Sequence, residues 1–533
     1  MVNLNTRALV ILALLIFTAT TTTTAAIDTA NTLKLTMCST TDYKNTCMKS
    51  LRAAGITRDP RLLLRTAFFA AIHGTQKAIN ATSIQYDSNA MVDYEICKEL
   101  LDLSTDDIKK AIKKLEEIKL NPENRDQLLY DIRTRLSGSL TFHQTCMDEI
   151  QNVTRRGDLL RILHLSTELS SNALAMLAFE KDLANWSWTS KENKRLVMSS
   201  LPSPSAALKD QVTIFIVSKD GSGMFKTING ALSAIPITSD NDIERKYLIY
   251  VKPGVYKEYV EITKNMKNVF LIGYGPSQTR IVGNRSVKGG FKTFRTPTVI
   301  VNGENFLARD ISIENTAGPE NDQAVALRIT ADKSIIYNCY IAGNQDTLYA
   351  HAHRQFYRDC TISGTVDFIF GNAAAVFQNC KIVFKQPRIN QNLRVISAQS
   401  RTDWRSNTGF VFQNCTITAD ETYYAKNRIL RSFLGRPWKK YSRTIFMESE
   451  IHDVIDPAGW MPWIGQKDYL LTIWYGEYLN RGRGADLRRR VNWIGYHKNI
   501  TDEVAAYFVP RRFIDGDHWI TAVDIPYFPN FNI

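Results

Sequence analysis

The chain has 533 residues, 44% of them hydrophobic and 22% charged, a globular composition spread over more length than one ordinary core accommodates. Two or more domains are therefore expected. The formal charge is +13; from Leu196 onward 41 basic and 31 acidic side chains place +10 of it in the second part. This composition excludes a disordered or low-complexity chain.

Residues 1–26 read as a signal peptide. Arg7 supplies a small basic region, Ala8 to Phe17 an apolar run, and Thr18 to Thr24 with Ala25-Ala26 a small-residue cleavage region. The apolar run is shorter than the roughly 20 residues that span a bilayer. No second such run follows, so the mature chain is expected to be exported and soluble. Sequons at Asn80, Asn152, Asn185, Asn284 and Asn499 fit that route as glycosylation sites, whereas Asn414 lies in a β-rich run and is expected to be buried. For an exported basic protein, an acidic cell-wall polysaccharide suits better than nucleic acid as the polyanion.

Residues 27–185 carry helical periodicity. Asp106 to Lys119 and Asp158 to Phe179 place apolar residues three and four apart, the first with an acidic start and basic later turns. An antiparallel helical bundle is the economical reading. Residues 186–210 are a Ser/Pro-rich linker in which Lys194-Arg195 offers a dibasic site for a processing protease. From 211 to 533 the rhythm changes to short β-rich runs, including KSIIYNCYIAG, RQFYRDCTISG, AAVFQNCKIVF and TGFVFQNCTITA. Their cysteines Cys339, Cys360, Cys380 and Cys415 are separated by 21, 20 and 35 residues. A period near 20 without intervening helices argues for a solenoid. Leucine-rich repeats lack their framework here, propeller hairpins are not evident, and a parallel β-helix fits best. DGSGMFKT (Asp220 to Thr227) lacks full phosphate-loop spacing and reads as a strand and turn.

Asp346 in GNQDTLY and Asp367 in GTVDFIFG are 21 residues apart, matching the separation of Cys339 and Cys360. In a β-helix this puts the two carboxyls about one strand spacing, roughly 4.8 Å, apart. Two carboxyls that close do not both ionise freely, which pairs a base or nucleophile with a general acid. Gln345 precedes Asp346, and Gln323 lies 23 residues before it, one coil away; their amides are candidates for stabilising an oxyanion. Arg436 and Trp438 in LGRPWKK offer a carboxylate clamp and a flat face for a sugar. No GxSxG elbow is present, and His351 with His353 has no evident third ligand, so neither a serine triad nor a metal is expected, nor any organic cofactor.

These motifs have a family pattern. GVYKE (Gly254 to Glu258), QAVALR (Gln323 to Arg328), QDTLY (Gln345 to Tyr349), GTVDFIFG (Gly364 to Gly371) and LGRPWK (Leu434 to Lys439), in that order, resemble the plant pectinesterases. The closing stretch, with Gly459-Trp460 and YGEYLNRGRGA, agrees. The resemblance implies an all-β right-handed parallel β-helix that hydrolyses the methyl esters of pectin, releasing methanol in the cell wall. It implies Asp367 as nucleophile, Asp346 as proton donor, Gln345 and Gln323 at the oxyanion, and Thr293, Arg436 and Trp438 against substrate. It also implies a Cys360–Cys380 disulfide, with Cys339 and Cys415 free. Residues 27–185 resemble the pectinesterase-inhibitor domain, a four-helix bundle, whose disulfides map onto Cys38–Cys47 and Cys97–Cys146. Three positions depart from the family pattern: Asn344 replaces a tyrosine, Thr296-Pro297 replaces Ser-Ala, and the processing motif appears only as Lys194-Arg195-Leu196-Val197.

Overall fold

The computed structural model describes residues 31–82, 91–120, 122–150, 157–177, 212–236, 245–388, 391–421 and 431–531. The expected signal peptide, the linker with Arg195, and the sequons Asn152 and Asn185 lie outside the described residues. Chain contacts divide the protein into two compact units, Met1–Ser199 and Ser200–Ile533. No described helix is long and apolar enough to cross a membrane.

Among the described residues, the first unit has four long helices, α1 (Pro60–Thr82), α2 (Met91–Leu120), α3 (Arg125–Glu149) and α4 (Gly157–Met176). Ile108, Ala111, Ile112 and Leu115 form the buried stripe of α2, packed in one core with Leu64 and Phe68 of α1 and Leu136 of α3. Cys38 is joined to Cys47, and Cys97 of α2 to Cys146 of α3. A polar cluster is buried between α1, α3 and α4. The His143 ring meets Ser139 O at 2.8 Å through Nδ1, and Ser166 Oγ at 2.8 Å and Thr75 Oγ1 at 3.2 Å through Nε2. Burial lowers the pKa of His143 to about 4, against a smaller opposing effect of the Ser139 carbonyl.

The second unit is a parallel β-helix. Among the described residues, its strands form sheets of 11, 7 and 8 members, and each strand neighbours its counterpart from the next coil. The seven-stranded sheet includes β1 (Leu327–Ile329), β2 (Leu348–Ala350), β3 (Ile369–Gly371), β4 (Leu393–Gln399) and β5 (Arg431–Gly435), adjacent in that order. Repetition stacks like on like inside the coils. Tyr357, Phe377, Phe412 and Phe446 form a continuous aromatic column, with ring centroids 4.6, 4.7 and 4.3 Å apart.

The recurring Asn-Cys or Asp-Cys signature marks a corner of the coil. Asn338, Asp359, Asn379 and Asn414 all have positive φ, from 49° to 57°, a left-handed conformation that short polar side chains tolerate best. They form a ladder in which the Asn379 amide donates to Asp359, and the Asn414 amide donates to Asn379 Oδ1 at 3.3 Å. Asn414 is thus half-exposed at a corner, not buried as its β-rich surroundings suggest.

The cysteine after each corner turns inward, and here the structure corrects the resemblance. Cys360 and Cys380 are not joined; with Cys339 and Cys415 they are buried free thiols. Being equivalent on successive coils, they point in parallel. Cys360 Sγ donates to Ile336 O and Arg358 O at 3.3 Å, and Cys380 Sγ to Tyr357 O and Gln378 O at 3.5 Å. Burial pushes both thiols well above their ordinary pKa, which keeps them protonated and unreactive.

Two further features complete the unit. The outer face of the 11-stranded sheet, with Phe356, Val376, Val411 and Ile445, is covered by Phe508, Phe513, Ile514, Trp519 and Ile520 near the C-terminus. The turn after Asp220 leads into a short helix, Ile228–Ser233, which the sequence reading missed. Thr227 caps it at Gly230 N, and its first amides, Ile228 N and Asn229 N, are held by the Glu258 carboxylate at 3.0 and 3.1 Å. Glu258 belongs to the GVYKE motif, so the end of the helix that attracts anions is filled by the chain itself.

Candidate active site

Strands β2 and β3 pair in parallel with Leu348 opposite Ile369. That register places Asp346 and Asp367 in matching positions two residues upstream of each strand. Both aspartates have left-handed backbone, φ 62° and 48°, so each carboxyl departs from the regular strand direction at the lip of the coil. Asp346 N donates to Val366 O at 3.1 Å, which ties the two turns together. Arg436, directly after β5, grips Asp367 with a fork: Nε to Oδ1 at 2.8 Å and Nη2 to Oδ2 at 2.5 Å.

The two carboxyls are chemically unlike. Burial, and then the charge of Asp367, push the pKa of Asp346 well above the usual carboxylate range, with Arg436 opposing. Asp346 therefore holds a proton where ordinary aspartates do not. Asp367 is the member in a two-point ion pair with a guanidinium, a contact that suits a carboxylate. Burial works against the charge of Arg436, but Asp367 overcomes it and raises the arginine further.

Gln323 and Gln345 are brought together as the sequence spacing predicts. They form an isolated parallel bridge, with Ala324 N donating to Gln345 O at 3.1 Å, and both are only half-buried. Thr293 opens a short turn, Thr293–Arg295, whose carbonyl accepts from Thr296 Oγ1 at 2.9 Å. Thr296 Oγ1 in turn accepts from Val325 N at 3.1 Å. The buried Arg328 donates to Phe294 O at 2.9 Å and covers the Phe294 ring at 3.5 Å. The threonine that departs from the family pattern thus ties the Thr293 turn to the QAVALR segment.

Trp438 is half-buried beside Phe370, with centroids 6.1 Å apart, and lies roughly parallel to Trp463 at 6.4 Å. Several neighbours escaped the sequence reading. Phe370 stacks on Tyr349 at 4.2 Å, and Arg436 lies over the Trp463 ring at 4.3 Å. Phe370 sits three residues after Asp367 in the same motif, a signal that was available. Trp460 of the Gly459-Trp460 pair, by contrast, is in the core, only 1% exposed.

His351 packs against Thr330 Oγ1 at 3.1 Å, and His353 against Thr330 O at 2.6 Å. Burial, reinforced by Arg328 and His353, holds His351 well below its ordinary pKa. No group of three metal-ligating side chains occurs among the described residues. Of the described sequons, Asn80, Asn284 and Asn499 are exposed. The arrangement offers one anchored carboxylate, one protonated carboxyl beside it, two amides and a wall of aromatic rings.

The family model described as Pectinesterase matches residues 214–517, and that described as Plant invertase/pectin methylesterase inhibitor matches residues 33–176. The chain is 40% identical over 541 residues to the probable pectinesterase/pectinesterase inhibitor 58 of Arabidopsis thaliana, covering 95% of this chain and 92% of that one. It is 47% identical over 376 residues to a pectinesterase of Petunia integrifolia, covering 69% of this chain and 98% of that one. Among solved structures, the pectin methylesterase from carrot superposes with a TM-score of 0.57 at 44% identity, over 60% of this chain and 98% of that one.

Proposed function

The chain belongs to the pectinesterase family, and from that premise we propose that its hydrolysis of pectin methyl esters runs through Asp367 as nucleophile and Asp346 as alternating acid and base. The observation that carries this reading is the paired but unequal carboxyls: Asp367 clamped by Arg436, and Asp346 buried and proton-bearing beside it.

In this scheme a carboxylate oxygen of Asp367 attacks the C6 carbonyl carbon of a methyl-esterified galacturonate. Negative charge moves to the carbonyl oxygen, where the amides of Gln323 and Gln345 donate to it. The intermediate collapses as Asp346 gives its proton to the departing methoxy oxygen. Methanol leaves, and an anhydride links Asp367 to the sugar. Asp346, now ionised, takes a proton from water as that water attacks the same carbon. The free galacturonate departs, Asp367 is regenerated and Asp346 is again protonated. Trp438, Arg436 and Thr293 would hold neighbouring sugars.

The wider setting belongs to the same proposal. Residues 1–26 direct export to the cell wall, residues 27–185 form an inhibitor-like pro-region, residues 211–533 are the catalytic unit, and a protease acts near Arg195. Asn80, Asn152, Asn185, Asn284 and Asn499 are its glycosylation sites.

The test is methanol release from methylated pectin, with reducing ends counted in parallel. Methanol with no new reducing ends is the expected result. An Asp367→Asn protein turning over near the wild-type rate would overturn the scheme.

A further inference from the structure

The loop after β5, residues 436–443, carries both Arg436 and Trp438, and its course is fixed by β4. The ladder between the two strands continues past the end of β5: Arg436 N donates to Ser397 O at 2.9 Å, and Trp438 N to Gln399 O at 3.2 Å. The chain then turns back. Ser442 Oγ donates to the same Gln399 carbonyl, and Arg443 N donates to Gln399 Oε1 at 2.8 Å. One residue therefore holds the loop at its entry and at its exit.

Gln399 is fully buried, and both ends of its side-chain amide are engaged. Oε1 also accepts from Arg401 N at 3.0 Å, and Nε2 donates to Asn372 Oδ1 at 3.0 Å. Gln399 pairs with Gly371, the last residue of β3, and Asn372 follows directly. Asn372 N donates in turn to His351 O at 3.0 Å, directly after β2. A line of hydrogen bonds thus crosses three coils, from the strand after Asp346, through the strand after Asp367, to the loop that bears Trp438. Arg401 adds a second tie, with its Nε donating to Tyr441 O at 2.7 Å and its carbonyl accepting from Tyr441 N at 3.0 Å. A buried polar group that meets its partners on every side rigidifies what it touches, and losing it strands those partners.

We propose that Gln399 is a positioning residue for the reaction: it touches no substrate itself and acts through Trp438, whose ring it holds in place for the sugar. The inference rests on the reading above, in which Trp438 holds a sugar beside the reacting ester. Arg436 is held separately, by Ser397 O and by its fork to Asp367. The effect of Gln399 therefore falls on substrate binding rather than on the chemical step.

The test measures kcat and KM for methanol release from methylated pectin, using the whole protein. Gln399→Met keeps the length of the side chain and removes its hydrogen bonds. KM is expected to rise about three- to tenfold, the scale of ordering one large side chain on binding, with kcat within about twofold of wild type. The alkaline limb of the pH profile should not move in this variant. Gln399→Glu keeps the acceptor for Arg401 N and Arg443 N and should return KM to near the wild-type value. Ser442→Ala removes only the clasp at the exit of the loop and should raise KM about threefold, which serves where Gln399→Met does not fold. A merely structural role would lower the folded fraction, and with it apparent kcat, while leaving KM alone. That result would overturn the proposal, as would an unchanged KM in either folded variant or a Gln399→Glu protein as impaired as Gln399→Met. An Asp367→Asn protein with normal turnover would instead defeat the catalytic reading, whatever the KM of these variants.

Discussion

In the helical unit, His143, Thr75, Ser166 and Ser139 make a buried polar cluster without a charge, since burial keeps the imidazole neutral. The helical unit does hold a largely buried ion pair, Arg135 with Asp107 at 3.2 Å, but the β-helix buries them on successive coils and more deeply: Arg354 with Asp332 at 2.6 Å and Arg490 with Glu477 at 2.8 Å, besides Arg436 with Asp367. The difference follows from how each fold repeats. Helices close their own backbone hydrogen bonds, and their facing side chains are related only by packing. Coils of a β-helix place equivalent residues one strand spacing apart, so ionisable groups can be set face to face and made to perturb each other. Charge is tolerated where the coil supplies its partner, and in the proposed catalytic pair, Asp346 and Asp367, the neighbour on the next coil is another carboxyl.

The sharpest break in that pattern is Asp367→Asn, which keeps the shape of the clamp and removes the charge. Methanol release should fall by roughly three orders of magnitude or more, as for loss of a covalent nucleophile, while circular dichroism stays native. The pH profile separates the two carboxyls. In the proposed scheme the first step needs protonated Asp346, so kcat/KM should fall as pH rises through its elevated pKa. Asp346→Asn should abolish that alkaline limb; a limb that survived would assign it to another group.

Stability should show the same contrast. Phe412 is stacked on both sides in the aromatic column of the β-helix, so Phe412→Ala should cost about 3–5 kcal/mol, read by denaturant unfolding of the β-sheet signal. In the helical unit the lever is pH. His143 has its folded pKa lowered to about 4 from 6.5. Between those values the unfolded chain binds a proton that the native one excludes, so stability falls as pH drops from 6.5 towards 4. The integrated loss is about 3 kcal/mol, measurable as a falling helical melting temperature. His143→Gln should flatten that slope.

Repetition also decided what was legible in the sequence. The cysteine intervals of 21, 20 and 35 are the register offsets themselves: Tyr340 pairs with Thr361, Thr361 with Lys381, and Lys381 with Thr416. The positions of Asp346, Asp367, Gln323 and Gln345 could be read for the same reason. What repetition does not encode was missed. Trp463 reaches Arg436 through an irregular segment after Trp460, and the cover over the outer face comes from the last 30 or so residues, which have no periodic pattern. The thiols Cys360 and Cys380 show a further limit: shared register brings two side chains near each other without setting the angle at which a bond would form.

The corners offer the finest measurement of the comparison, because they use backbone rather than side-chain burial. Asn379 is exposed, has φ 57°, and links Asp359 to Asn414 through its amide. Asn379→Gly keeps the left-handed turn at no steric cost but loses the ladder contacts, whereas Asn379→Ala loses both. Alanine should therefore destabilise the β-helix by about 1 kcal/mol more than glycine. In an exposed interior position of a helix such as α2 the order reverses, with glycine worse than alanine by a similar amount. Equal effects of the two substitutions at Asn379, measured by denaturant unfolding, would mean that the side-chain ladder rather than the left-handed backbone sets the corner.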